Sequence, residues 1–183
     1  MSKKLDNLEK SLKEKDEKIE NLENKIQLLD ERNQDLLAEN KDISGRLDDL
    51  EQYSRRNCLL LHGVREDDDE NTDEIILSTI ATEIGINITE QDIDRTHRLG
   101  RPNRRDGKPR PIIVKFSRYN VRNKVYQYKR NLKGKRYLIT ESLTKHRMRL
   151  FKEAQQEYGV TNVWTSDGRI LYKFENKVSL YKS

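Results

Sequence analysis

Apolar residues recur every seven positions over residues 5–53, in two series that interleave at steps of three and four. One series is Leu5, Leu12, Ile19, Ile26, Asn33, Asn40 and Leu47, and the other is Leu8, Lys15, Leu22, Leu29, Leu36, Ile43 and Leu50. These are the a and d positions of seven heptads, with three polar exceptions. Since the rest of the stretch is polar, its narrow apolar seam can be buried only against copies of itself. The pattern predicts a parallel coiled coil.

The flanking charges support the parallel alignment. In a parallel coil each g position meets the next e position of its neighbour. No such pair has like charges, and four pairs have opposite sign: Lys4–Glu9, Lys18–Glu23, Lys25–Asp30 and Arg46–Glu51. Ile at a with Leu at d favours two strands, whereas the segment Arg46–Glu51 resembles the Arg–apolar–x–x–apolar–Glu element of three-stranded coils. We predict a homotrimer, with a dimer as the alternative. The residues predicted to carry oligomerisation are Leu22, Ile26, Leu29, Asn33, Leu36, Asn40, Ile43, Arg46, Leu47, Leu50 and Glu51.

After the coil the pattern changes to short apolar runs that alternate with helical spacing. The element order β-α-β-β-α-β over residues 57–140 is the split β-α-β, ferredoxin-like arrangement. Helix ends are marked by an N-cap at Asn71 or Thr72 and by Gly85. The predicted strands are 58–64, 93–99, 111–117 and 136–140, and the predicted helices are 72–84 and 119–130.

A second small unit follows. Ser142 or Thr144 caps a helix that Gly159 ends, and strands at 163–165 and 170–174 flank the turn signal Asp167-Gly168. The last nine residues are read as a frayed helix. The predicted fold is α+β: a long N-terminal parallel coiled coil (1–53), a ferredoxin-like domain (54–140) and a small helix-plus-hairpin C-terminal domain (141–183).

Charge is strongly segregated along the chain. Residues 95–152 contain twenty Lys and Arg but only Asp106 and Glu141 as acids, whereas residues 54–94 contain three basic and eleven acidic residues. Twelve of the twenty are Arg, which binds phosphate through a bidentate fork. A basic block within foldable sequence predicts contact with the phosphates of a nucleic acid.

Several functional classes lose support from the composition. One cysteine, Cys58, excludes an internal disulfide and a multi-thiolate metal site, and indicates a reducing compartment. With three His and almost no carboxylate in the basic block, neither a metal pair nor a nucleophile–base constellation is apparent. We predict no enzymatic activity and no cofactor. No apolar run approaches the ~20 residues of a membrane span, and no signal-peptide pattern starts the chain.

The succession of elements resembles a known family. The features that carry the resemblance are a heptad coil, Ser54-Arg55-Arg56-Asn57, an apolar strand ending in Gly63-Val64, the later His97-Arg98, the run Ile112–Lys115 and a helix-plus-hairpin tail. With them the chain resembles the first open-reading-frame protein of LINE-type retrotransposons. The resemblance covers the chain from about residue 40. It implies a homotrimer with an RNA-recognition-motif domain that binds single-stranded RNA, packages element RNA and acts as a nucleic-acid chaperone. It also implies cytoplasmic ribonucleoprotein particles, with the nucleus as a second location.

The site residues follow from the basic block and from positions that match the family. Since the strands offer only Leu60 and Phe116 where RNA recognition motifs carry aromatics, we expect weak base stacking on the sheet. We expect Arg and Lys along a groove between the two small domains to bind the phosphates of single-stranded RNA. Single-stranded DNA is the second expected ligand. For Tyr137 and Trp164 a packing role is favoured over stacking. The predicted contacts are Arg55, Arg56, Arg98, Arg101, Arg104, Arg105, Lys108, Arg110, Lys115, Arg122, Arg136, Arg147 and Arg149.

A second hypothesis stays open from the sequence. A coiled-coil adaptor whose basic domain binds an acidic protein would have the same heptads and the same charge segregation. Comparing RNA with an acidic polypeptide at matched salt distinguishes the two.

Overall fold

The computed structural model describes residues 2–101 and 109–181, with the side chains of residues 2–6 excepted. The chain divides into two units, Met1–Leu47 and Asp48–Ser183. Its class is α+β: a long N-terminal helix precedes a domain built on a four-stranded sheet and a small three-stranded sheet.

Helix α1 spans Ser2–Ser54 without interruption. The predicted seam residues are exposed in the single chain, from 50% for Leu22 to 67% for Leu50. A continuous helix with an exposed apolar stripe fits the heptad pattern, since neither Pro nor a turn signal interrupts it.

The four-stranded sheet consists of β1 (Cys58–His62), β2 (Ile93–Arg98), β3 (Ile112–Phe116) and β4 (Leu138–Glu141). Its order is β2-β3-β1-β4, and every neighbouring pair is antiparallel. Helix α2 (Thr72–Thr79) continues as a π-helical turn, Ile80–Ile84, and helix α3 (Tyr119–Gln127) continues as a 3-10 turn, Tyr128–Leu132. Both helices pack on one face, where the buried core includes Leu59, Leu61, Ile76, Ile112, Val114, Phe116, Val125 and Ile139.

Local signals in the sequence account for most of these boundaries. The Asn71 side chain accepts hydrogen bonds from the backbone N–H groups of Asp73 and Glu74, which caps α2. Gly85 adopts a left-handed conformation and ends the π-helical turn, as predicted. The fourth strand begins at Leu138, two residues later than predicted, and it extends to Glu141.

The C-terminal part has one more strand than predicted. Helix α4 (Lys145–Tyr158), capped by Thr144, packs with β5 (Val163–Ser166), β6 (Arg169–Phe174) and β7 (Lys177–Leu180). The prediction of a frayed helix at the end is wrong, because Glu175 and Asn176 both have positive φ and form a tight turn from which β7 pairs with β6. The core of this part contains Leu150, Ala154, Val163, Ile170 and Tyr181.

The last turns of α1 are joined to this C-terminal part by a buried amide. Gln52 donates a hydrogen bond to the Ser142 carbonyl oxygen at 3.1 Å and accepts one from the Thr144 backbone N–H at 3.0 Å. The Thr144 hydroxyl donates to Asp48. Because a buried primary amide is costly unless its hydrogen bonds are made, these contacts fix the chain where β4 leads into α4.

Gly63 should be intolerant of a side chain. Its φ is +85°, and an added Cβ would lie 2.2 Å from the Arg136 carbonyl oxygen. Gly63→Ala should lose about 1–2 kcal/mol for the left-handed conformation and a further amount because β1 and β4 must separate. The matched control is Gly85→Ala, whose φ is +81° and whose added Cβ meets no atom within 4 Å. Urea unfolding at equal protein concentration measures both, and equal losses would contradict the close approach.

Candidate nucleic-acid interface

One face of the four-stranded sheet is not packed on α2 and α3. The register places Arg95 opposite Lys115 and His97 opposite Ile113 on this face, at the β2–β3 side. Phe116 lies on the core face at 1% exposure, and Leu60, opposite Ile113 on β1, is not aromatic, so neither supplies an exposed aromatic ring. Lys115 forms a partly exposed ion pair with Asp94 at 2.7 Å. This side of the sheet offers cations and no stacking platform among the central strands.

The junction arginines lie beside the end of α1. Arg55 donates to the Glu51 carboxylate at 2.7 Å and to the Ser142 hydroxyl at 3.3 Å. The Arg56 guanidinium lies over the Tyr119 ring at 4.3 Å and the Tyr53 ring at 5.0 Å. Both side chains are half-buried. These contacts fix the position of each guanidinium, and part of each side chain remains accessible to a ligand.

Arg98 and Arg110 hold the loop that precedes α2. Arg98 is 5% exposed, pairs with Glu70, and donates to the carbonyl oxygens of Val64 and Arg65. Hydrogen bonds from Arg98 hold the pKa of Glu70 below its usual value. Arg110 pairs with Glu66 in the same way, which also lowers the pKa of that carboxyl. The prediction of phosphate contact is not supported for Arg98, since its donors are already used inside the protein.

Arg122 occupies the most enclosed position of the predicted set. Its side chain is 2% exposed and pairs with Glu141, itself 1% exposed, at 2.5 Å. The same carboxylate accepts the backbone N–H groups of Asp167 and Gly168 in the β5–β6 turn, at 2.9 and 3.2 Å. Arg122 therefore joins α3, β4 and the C-terminal hairpin, and the prediction that it contacts nucleic acid is not supported.

Arg147 is also engaged within the protein. It pairs with Asp48 at 2.8 Å and with Asp49, and donates to the Gly168 carbonyl oxygen at 3.1 Å. Arg147 thus connects α4 to the last turns of α1.

The remaining predicted cations differ in their exposure and in their contacts. Arg101 and Arg136 are exposed, and Arg136 stacks on Tyr137, with its guanidinium 4.8 Å from the ring centroid. Arg149 is exposed and pairs loosely with Glu153 at 3.7 Å. Arg104, Arg105 and Lys108 lie outside the described residues.

Sequence reasoning missed cations that the fold leaves available. Arg95, Arg118, Lys124 and Arg130 are exposed and form no ion pair with any residue between 2–101 and 109–181. By contrast, seven of the twenty basic residues in the block do form ion pairs there, four of them with the acidic segment that precedes the block. Those seven are Arg98, Arg110, Lys115, Arg122, Lys135, Arg147 and Arg149.

A groove of about 490 Å³ lies between the edge strand β4 and the C-terminal part. Its apolar wall includes Leu60, Leu143, Phe151 and Trp164. Three cations line it from the end of α3 and the turn after it, namely Lys129, Arg130 and Lys133. The sequence predicted a basic groove between these two parts of the chain but selected other cations for it.

Two histidines and two aromatics of this part of the chain differ in their surroundings. His62 contacts the Thr140 hydroxyl at 2.9 Å, and burial lowers its pKa, as a structural role would require. His97 is exposed on the sheet. Tyr137 and Trp164 both line the groove.

Comparison with known proteins adds no match to this geometry. No protein-family model matches the chain, and the comparison with curated proteins gives no significant match. Among the described residues, no three His, Cys, Asp or Glu side chains are grouped as a metal site would require. None of the described helices is both long and apolar enough to cross a membrane.

The Arg122–Glu141 pair should be a determinant of stability. Glu141→Gln keeps an acceptor for the β5–β6 turn but leaves the Arg122 cation buried without a counter-charge, so the free energy of unfolding should fall by about 3–5 kcal/mol. Adding Arg122→Met should recover part of this loss, because no buried charge then remains.

The exposed pair Lys115–Asp94 provides the control for this experiment. Asp94→Asn should change the free energy of unfolding by less than about 1 kcal/mol. Urea unfolding measures all the variants. If Glu141→Gln lowers the free energy of unfolding no more than Asp94→Asn does, the buried pair does not hold the C-terminal hairpin to the four-stranded domain.

Proposed function

We propose that this chain is a homo-oligomeric, single-stranded nucleic-acid-binding protein of the LINE first open-reading-frame type. In this proposal α1 forms a parallel trimer, the four-stranded domain is an RNA recognition motif, and the protein packages element RNA and acts as a chaperone for it. Cytoplasmic ribonucleoprotein particles are the proposed location. The protein acts by binding and not as an enzyme.

The sheet topology supports the domain assignment. The order β2-β3-β1-β4 with antiparallel neighbours is that of the ferredoxin-like split β-α-β arrangement, on which RNA recognition motifs are built. Leu60 in place of an exposed aromatic argues for recognition through phosphates and for little sequence readout on the sheet.

The observation that carries the proposal is the set of cations left exposed after the internal ion pairs are made. Arg95, Arg118, Arg130 and Arg136 come from four separate places in the fold, and each is exposed. A fold that neutralises seven basic residues and leaves these at its surface retains a positive potential for a polyanion. Groups spread over several elements of the four-stranded domain suit a flexible single strand better than a rigid duplex.

The exposed seam of α1 supports oligomerisation. Leu47 and Leu50 are 62% and 67% exposed. The residues of α1 that bind the C-terminal part, Asp48, Asp49 and Gln52, occupy heptad positions b, c and f, away from the seam. The Glu51 carboxylate, assigned by the sequence to an interhelical pair with Arg46, accepts from Arg55 of its own chain, just after the helix.

Binding should depend steeply on salt. The logarithm of the association constant for a single-stranded 20-mer should fall with the logarithm of salt concentration, by about 0.7 per phosphate neutralised. Arg95→Gln together with Arg136→Gln should make this slope shallower by about 1.4 in total. Fluorescence anisotropy at several salt concentrations measures the slope.

Arg65→Gln is the matched control, because Arg65 is exposed but lies in the acidic loop beside Asp67. It should leave the slope unchanged. Poly-glutamate at equal charge is the competitor for the alternative function. An acidic polypeptide that binds as well as the oligonucleotide would favour a protein-binding adaptor instead.

The seam should be essential for assembly. Leu47→Asp with Leu50→Asp places carboxylates in the seam, so the oligomer should dissociate and binding to long RNA should weaken through lost avidity. Leu28→Asp is the control, since Leu28 is 64% exposed on the same helix but lies off the seam. Sedimentation equilibrium reports the mass of each variant. A double variant that still sediments as a trimer would show that the seam is wrongly assigned.

A further inference from the structure

The groove beside β4 has an interior unlike a phosphate-binding surface. Its volume of about 490 Å³ falls within the range of roughly 300–1,000 Å³ that is usual for small-molecule pockets. Leu143, Met148, Phe151 and Trp164 provide an apolar and aromatic wall. Since an apolar wall cannot replace the hydration of a phosphate, this interior suits an uncharged planar group.

Tyr126 and Lys129 meet at the α3 side of the groove. The Tyr126 hydroxyl donates to the Thr165 carbonyl oxygen at 3.0 Å, which fixes the ring next to the strand that carries Trp164. The Lys129 ammonium lies 3.5 Å from the centre of this ring. Burial lowers the pKa of Lys129 to about 8 and raises that of Tyr126 to about 12.

Lys129 has no hydrogen-bonding partner among the described residues, although burial has removed part of its hydration. A desolvated ammonium gains more from an acceptor than an exposed one does. A carbonyl oxygen or ring nitrogen of a nucleobase is such an acceptor, and the base plane can stack on an aromatic wall.

The rim and the edge strand fit the rest of a nucleotide. Arg130 and Lys133 line the same groove, where a backbone phosphate would follow the base. β4 is the last strand in the order, so its outer backbone groups have no sheet partner in the described sheet and can pair with a base edge.

We propose that the groove between β4 and the C-terminal part is a base-binding pocket, which takes one unstacked nucleobase of the bound strand against Trp164, with Lys129 donating to the base. The pocket rests on the proposed function, since it needs a single strand to supply the base. It adds a site where the bases, and not only the phosphates, contribute to affinity.

The single tryptophan of the chain, Trp164, reports on the pocket directly. The full chain is titrated with a thymidine 20-mer and with an abasic 20-mer of the same deoxyribose-phosphate backbone and charge. The base-bearing strand should bind about tenfold more tightly, since one stacked base is worth about this factor. It should also quench Trp164, whereas the abasic strand should quench it little.

Two lysines of the same helical segment provide the matched variants. Lys129→Gln should remove most of the tenfold preference, and Lys124→Gln, at an exposed position outside the groove, should leave it intact. Because the pKa of Lys129 is about 8, the preference should weaken between pH 7 and pH 9 in the unmodified chain and stay constant in Lys129→Gln.

The outcomes separate the two proposals. If both strands bind equally and quench Trp164 equally, the pocket does not bind a base, although the proposed function stands. If neither strand binds, the proposed function itself fails. If a six-residue peptide of alternating Val and Thr quenches Trp164 and the thymidine strand does not, the groove is a peptide site on the edge of β4, and the base-binding proposal is wrong.

Discussion

The carboxylate of Glu141 is the contact on which the second unit depends. It is buried at the end of β4, pairs with Arg122 of α3, and accepts two backbone N–H groups from the turn between β5 and β6. A buried carboxylate with fewer partners would cost several kcal/mol, so the ion pair and the turn must form together. The four-stranded sheet, its second helix and the C-terminal hairpin therefore have one shared polar centre. Glu141 itself lines the groove beside β4, so this polar centre forms part of the groove wall.

Charge in this chain has two separate uses. Glu66, Glu70, Glu83 and Asp94 come from the acidic segment and pair with Arg110, Arg98, Lys135 and Lys115 of the basic block. These pairs position loops and strand ends, and four of the block's positive charges are neutralised in making them. Under the proposed function, what remains for a polyanion is a smaller set of exposed arginines. A charge count along the sequence therefore overestimates the number of basic side chains that stay unpaired, even when its sign is informative.

Local patterns predicted the elements well, whereas distant pairings decided the site. The heptads, the Asn71 cap, Gly85 and the Asp167-Gly168 turn each depend on neighbours within a few residues, so the sequence reveals them. Arg118 precedes α3 at its N-cap and is exposed, whereas Arg122 lies inside the helix, pairs with Glu141 and is 2% exposed. Nothing in the sequence of α3 reveals that partner, because Glu141 lies on β4. β7 was missed for a related reason: Glu175-Asn176 is not a strong turn signal, and the strand is defined by its pairing with β6.

The last turns of α1, from Asp48 onward, belong to the folded unit. Asp48, Asp49 and Gln52 face Arg147, Ser142 and Thr144, while Leu50, between them in sequence, remains exposed. In heptad terms the body is attached at b, c and f, the positions farthest from a and d. Under the proposed function, the seam at a and d sets the number of copies, whereas Gln52 and Arg147 make their contacts within one chain. An oligomer would then carry several copies of the groove beside β4, so that weak contacts at each groove combine on one strand of nucleic acid through avidity.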